Sequence, residues 1–263
     1  MSFFFPDKPL EAYDNSLVKI VFSFEWNTIS YQIIDDLIED INDIIGLDFR
    51  YHLKHGKYTF DDKNDIIRET AEFVVAHTKE RFMFGNPFHF KCPPTQIHLD
   101  LTGGNSRDIL NSDLIFKILR FEHLISVYVV NSNYFFLQQS LDIEQFKNFK
   151  VPVNGLRLTK SDYGSKIIDV KKNPGYSEVI TNTWLMAGWK MWFNNIFFQK
   201  LLDKDIYDFP FSFRRSKDEI ATYIQLYENQ NEPHFKLSRK RQEQFKEWIG
   251  FDKLIQADTA IKE

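Results

Sequence analysis

Histidine, cysteine and carboxylate side chains bind metals and move protons, so their spacing is the first thing to read. His89 and Cys92 stand in an HxxC arrangement, and His98 and Asp100 follow two residues apart. On a strand, residues i and i+2 share a face, so His98 and Asp100 would point the same way. Thiolate, imidazole and carboxylate are the ligands that zinc takes in a tetrahedron. Against a metal, Cys92 runs directly into Pro93-Pro94, and no second CxxC or HxxH pair stands nearby to close the set. His52 and His55 would join only through a contact made by the fold. A buried thiol and ordinary strand histidines are the plainer reading, and no metal or other cofactor is expected. Covalent and acid–base catalysis leave no signature, since GxSxG and HExxH are both absent. His77 falls on the apolar side of a predicted helix, and His123 has only Glu122 near it in sequence.

The stretch Asp100-Leu101-Thr102-Gly103-Gly104-Asn105-Ser106-Arg107 lies between a predicted strand and a predicted helix. Glycines at such a junction let backbone amides approach a phosphate, and a helix start favours an anion. Asp100, Thr102, Gly103, Gly104, Asn105 and Arg107 would be the ligand-binding residues. Thr102-Gly103-Gly104 resembles the strand-end loop of the nucleotide-sensing domains found in CRISPR ancillary proteins, which implies a nucleotide ligand. A Lys commonly follows the glycines in that family, where this chain has Asn105-Ser106-Arg107. Neither GxxxxGK[ST] nor GxGxxG occurs. The plainer alternative is a tight turn that uses glycine for its positive φ.

Charge is unevenly distributed. Between Trp26 and Phe49 stand six acids (Asp35, Asp36, Glu39, Asp40, Asp43 and Asp48) and no Lys or Arg. A solvated helix face explains this blandly; steering of a basic partner explains it functionally. Exposure gives these carboxylates no reason for a raised pKa, so they are poor general acids. By contrast, Arg239-Lys240-Arg241 opens a predicted helix at the unfavourable end of its dipole. Compensation would come from Glu243 and Glu247 or from a partner.

These groups need elements to hold them. Leu17 to Trp26 alternates like a strand, and Ile33 to Ile45 repeats at the helix period before Gly46. A hairpin is expected over Leu47 to Phe60, and a helix from Asp62 to Phe82. Gln96 to Leu101 reads as a strand and Ile109 to Leu119 as a helix. Ser126 to Val130 and Tyr134 to Gln138 flank Asn131-Ser132-Asn133 and predict a second hairpin. Residues 151–176, with Pro152, Gly155, Gly164, Pro174 and Gly175, predict short strands and loops. Trp184 to Leu202 reads as a helix with an aromatic arc, and Ser216 to Glu219 fits a capping box before a helix over Ile220 to Tyr227. Arg239 to Ile249, ended by Gly250, predicts the last helix.

The expected fold is α+β: a mixed, largely antiparallel sheet with flanking helices and a helical carboxy-terminal third. It forms one domain over 1–263, divisible into an α/β portion (1–150) and a helical portion (176–263). The 263 residues include 27 Phe and only 10 Gly and 9 Pro, which excludes a disordered chain, and a single Cys excludes a disulfide scaffold. Met1 to Pro9 lacks the basic start of a signal peptide. Trp184 to Leu202, the most apolar stretch, carries Lys190, Asn194, Asn195 and Lys200 and so should not span a membrane. A net charge of −4 disfavours nucleic acid as a partner. A cytoplasmic, non-catalytic protein-binding protein is therefore expected, docking a basic protein through Asp35, Asp36, Glu39, Asp40 and Asp43. Its concrete form would be an inhibitor, such as an immunity protein that neutralises a bacterial toxin.

Overall fold

Strand β1 (Val18–Phe24) is buried at all seven positions, Lys19 and Ser23 included. An alternating strand with both of its faces covered belongs at the centre of a layered fold. The computed structural model describes residues 17–25, 28–46, 51–52, 72–77, 80–85, 96–149, 151, 153, 156–180, 183–202, 204–229 and 236–262. After β1 come α1 (Tyr31–Ile45), β2 (Tyr51–His52), β3 (Glu72–His77), β4 (Glu80–Gly85) and β5 (Gln96–Leu101). Next are α2 (Gly103–Asn111), α3 (Leu114–Ile118), β6 (Leu124–Asn131), α4 (Ser132–Gln139) and α5 (Ile143–Asn148). Then follow β7 (Leu158–Lys160), β8 (Lys166–Ile168), β9 (Glu178–Ile180), β10 (Thr183–Leu185), β11 (Lys190–Asn194) and α6 (Asn195–Lys200). The chain closes with β12 (Arg214–Lys217), β13 (Ala221–Gln225), α7 (Lys236–Ile249) and α8 (Phe251–Lys262).

Nine strands form one sheet in the order β12-β13-β11-β6-β1-β5-β4-β3-β2, and each adjacent pair is antiparallel. β7–β8 and β9–β10 are separate two-stranded pairs. The fold is α+β. Antiparallel register places Lys19, Val21 and Ser23 beside Asp100, His98 and Gln96 on β5, and beside Val130, Tyr128 and Ser126 on β6. This face is covered by Phe135 of α4 and Trp184 of β10, whose rings lie 6.3 and 6.1 Å from His98. Phe245 of α7 covers it further along, 6.3 Å from Phe193. The opposite face carries Val18, Ile20 and Phe22. It is buried in one cluster with Ile34, Leu37 and Ile41 of α1 and Leu114 and Ile118 of α3. Among the described residues no helix is long and apolar enough to cross a membrane.

Several local expectations give way to tertiary pairing. Tyr134 to Gln138 is helix, not the second strand of a hairpin, because the Asn131 side chain caps it, accepting from Tyr134 N at 2.9 Å. Trp184–Leu185 and Lys190–Asn194 are strand, residues 186–189 between them are irregular, and only Asn195–Lys200 is helical. The β11 aromatics suit either period, and pairing with β6 and β13 decides for the sheet. The expected capping box is a hairpin turn. Asp218 Oδ1 accepts from Ile220 N (2.7 Å) and Ala221 N (2.9 Å), and Ser216 lies in β12. Strands at 72–77 and 80–85 replace the later part of the expected helix from Asp62 to Phe82, whose residues 62–71 lie outside the described part. The Ile109 to Leu119 helix is two helices, interrupted where Ser112 Oγ donates to Ile109 O (2.7 Å) and accepts from Leu114 N (3.2 Å). Of the hairpin over Leu47 to Phe60, only Tyr51 and His52 are described, and they pair with β3.

Candidate functional site

The acidic helix forms as its sequence dictates. Ser30 Oγ caps α1 by accepting from Ile33 N (3.3 Å), and Gly46 at φ 64° ends it with a bond to Asn42 O (2.8 Å). Ile34, Leu37, Ile38 and Ile41 are buried, which turns Gln32, Asp36, Glu39, Asp40 and Asp43 outward. Glu39 and Asp43 are exposed, and Asp36 and Asp40 are half-buried. Lys117 of α3 meets both Asp40 oxygens at 2.6 Å, and that bond raises the Lys117 pKa. Asp36 accepts from Gln32 at 2.6 Å. The Asp35 side chain and all of Asp48 lie outside the described part. No basic residue stands in the last turn of α1, although Asp43 does. A carboxylate at the negative end of a helix is locally unfavourable, by about 0.3–1 kcal/mol.

Asp100 is held from two directions. Lys19 is its direct neighbour in register, and Lys19 Nζ lies 2.8 Å from Oδ2, with side chains 7% and 14% exposed. Ser132 Oγ, in the first turn of α4, donates to Oδ1 at 2.5 Å. Thr102, two residues further on, is the N-cap position of α2, while the Asp100 carboxylate itself lies against the first turn of α4. Gly103 and Gly104 open α2 and do not form a positive-φ turn. Gly104 lacks the left-handed φ, and a Cβ built on it meets nothing within 4 Å. Asn105 is half-buried and Arg107 exposed. Lys19 and Ser132 were not among the residues that sequence singled out. The available signal was a lysine inside a largely apolar strand.

His98 shares a face with Asp100, as expected, but is 1% exposed and packed between the Phe135 and Trp184 rings. Its Nε2 lies 2.8 Å from Gln96 Oε1, an acceptor, so Nε2 carries the proton. Burial, and secondarily the Lys19 charge, holds its pKa well below the usual value. Neutral and enclosed, His98 is a core residue. Gln96 Nε2, His98 Nδ1, Ser23 Oγ and Ser126 Oγ are buried without a protein partner on this same face. His89 and Cys92 lie outside the described residues. Among those described, no three His, Cys, Asp or Glu side chains come together to hold a metal ion. His123 pairs with Glu25 (Nδ1 to Oε2, 2.6 Å), which is 98 residues away in sequence, and lies 3.7 Å from Glu122. Trp184, Trp189 and Trp192 are buried, as an aromatic core requires. Compared with protein-family models, with curated proteins and with solved structures, the chain matches none.

Proposed function

We propose that this chain is a non-catalytic protein-binding protein that docks a basic partner through the outer face of α1. An inhibitor of the immunity-protein kind, neutralising a basic toxin in the cytoplasm, is its concrete form. One observation carries the reading. Asp36, Glu39, Asp40 and Asp43 project from one helix face, and a single cation, Lys117, offsets them among the described residues. Asp43 does so at the helix end where its charge is least welcome. A basic surface would relieve that field and be drawn to it over long range. The alternative is a nucleotide- or phosphate-binding domain that uses Asp100 to Arg107. In its favour stand the space beside Gly104 and the exposed Arg107; against it stands Asp100, already held by Lys19 and Ser132.

The test is the variant D36K/E39K/D43K. Affinity capture on the native chain should retain a basic protein that this variant loses. Its association rate at low salt should fall by about tenfold or more, and converge with wild type at high salt. An association rate unchanged at low salt refutes the docking surface. A melting-temperature rise with a nucleotide, abolished by Gly104→Trp, would favour the ligand alternative.

A further inference from the structure

Among the described residues, the start of α7 has no acidic counter-charge. Lys236, Arg239, Lys240 and Arg241 stand within its first six residues and its first turn holds no acid. The free amides of a helix start are themselves positive. Among the described residues, no carboxylate forms an ion pair within 4.0 Å of Arg239, Lys240 or Arg241. Glu243 and Glu247, the counter-charges that sequence offers, are exposed and make no such pair. Arg241 is held by backbone instead, its Nη1 donating to Leu226 O at 2.9 Å.

Beside these cations lies open apolar surface. Leu237, Lys240, Arg241 and Gln244 follow the i, i+3, i+4, i+7 spacing of one helix face. With the Pro210–Ser212 turn they line a groove of about 300 Å³ that contains no acid. Leu237 is 60% and Phe211 49% exposed. The groove is preorganised. The Phe211 ring lies 5.8 Å from buried Phe209, which lies 5.4 Å from Phe245 of α7. Arg215 Nη1 also donates to Tyr207 O and Phe209 O, both at 2.9 Å, pinning the turn.

Exposed apolar side chains rimmed by cations complement an acidic segment that carries an apolar anchor. The volume is at the lower limit of small-molecule pockets and suits one large side chain. Single-stranded nucleic acid calls for aromatic platforms in series, whereas here a single ring stands beside an aliphatic side chain. We infer that this groove docks an acidic, amphipathic segment of another protein. A Leu- or Phe-sized anchor sits between Phe211 and Leu237, and its carboxylates meet Lys240, Arg239 and the start of α7. This surface is separate from α1 and opposite to it in sign.

The test is fluorescence anisotropy on the full chain with a labelled peptide of Glu and Asp residues around one Phe. Controls are the same peptide with Ser for Phe, the same peptide with Lys for each acid, and a single-stranded oligonucleotide. The acidic, anchored peptide should bind best, and removing the anchor should weaken it by about tenfold. Leu237→Ser and Lys240→Glu, both at exposed positions, should each weaken it by about tenfold with the melting temperature unchanged. D36K/E39K/D43K should leave it unaffected, so the two docking surfaces stand or fall separately. No binding, tighter binding of the oligonucleotide, or undiminished binding to both groove variants overturns the inference. So does a dimer of this chain that both α1 and α7 variants dissolve, since the occupant would then be a second copy.

Discussion

Tyr134 Oη donates a 2.6 Å hydrogen bond to Gln242 Oε1, joining α4 to α7 across 108 residues of sequence. Both side chains are fully buried, and Gln242 Nε2 continues the link to Ala187 O at 2.8 Å. Gly175 packs so closely on Tyr134 that a Cβ there would lie 2.5 Å from Tyr134 Cε1. Tyr134→Phe should cost about 1–3 kcal/mol, because it leaves the Gln242 oxygen buried and unmet. A lower urea midpoint at constant slope is the expected result. An unchanged midpoint would mean that the bond contributes nothing net.

The Lys19–Asp100 pair has little access to water, so removing one member should cost far more than at a surface. Lys19→Met is expected to destabilise the chain by about 3–5 kcal/mol, since it leaves the carboxylate with Ser132 but no cation. Lys19→Met combined with Asp100→Leu should cost less than the two single changes added together, because an apolar pair needs no solvation. Thermal denaturation of the four-member cycle measures this coupling. Strict additivity would show the two charges to be independent.

Stability should rise with pH through Lys246. This lysine is 9% exposed, donates to Asn173 O at 3.1 Å and lies 4.2 Å from the Phe251 ring centre. Burial lowers its pKa from 10.5 to about 8, with Lys172 adding to the effect and Asp252, Glu243 and Glu178 opposing it. Below pH 8 the native and unfolded chains both carry the proton. Between about 8 and 10.5 only the unfolded chain keeps it, so stability increases with pH, by roughly 3 kcal/mol over the window. Urea unfolding of wild type and Lys246→Met at pH 7.5, 9 and 10.5 isolates this contribution as the difference between the two. A difference that stays constant with pH would remove it.

What the amino-acid order determined alone is local. Ser30 and Gly46 bracket α1, Gly250 ends α7 in the left-handed conformation, and β1 and β5 alternate as strands must. Each of these signals closes within a few residues, so no distant partner has to supply it. The acidic face was legible for the same reason, since a helical period and a buried Ile/Leu stripe leave only one way for Asp36, Glu39 and Asp43 to point.

Tertiary structure decided the rest. Lys190 to Asn194 and Ala221 to Gln225 carry aromatic and β-branched residues that fit either period, and pairing of β11 with β6 and of β13 with β11 and β12 chose extension. Asp100 became an internal counter-ion because register set Lys19 beside it, 81 residues away in sequence. The basic start of α7 was visible as three consecutive cations. That they border an open groove followed only when the Pro210–Ser212 turn packed against the helix. Charge can be read along a chain, but which charges meet is a property of distances that folding alone creates.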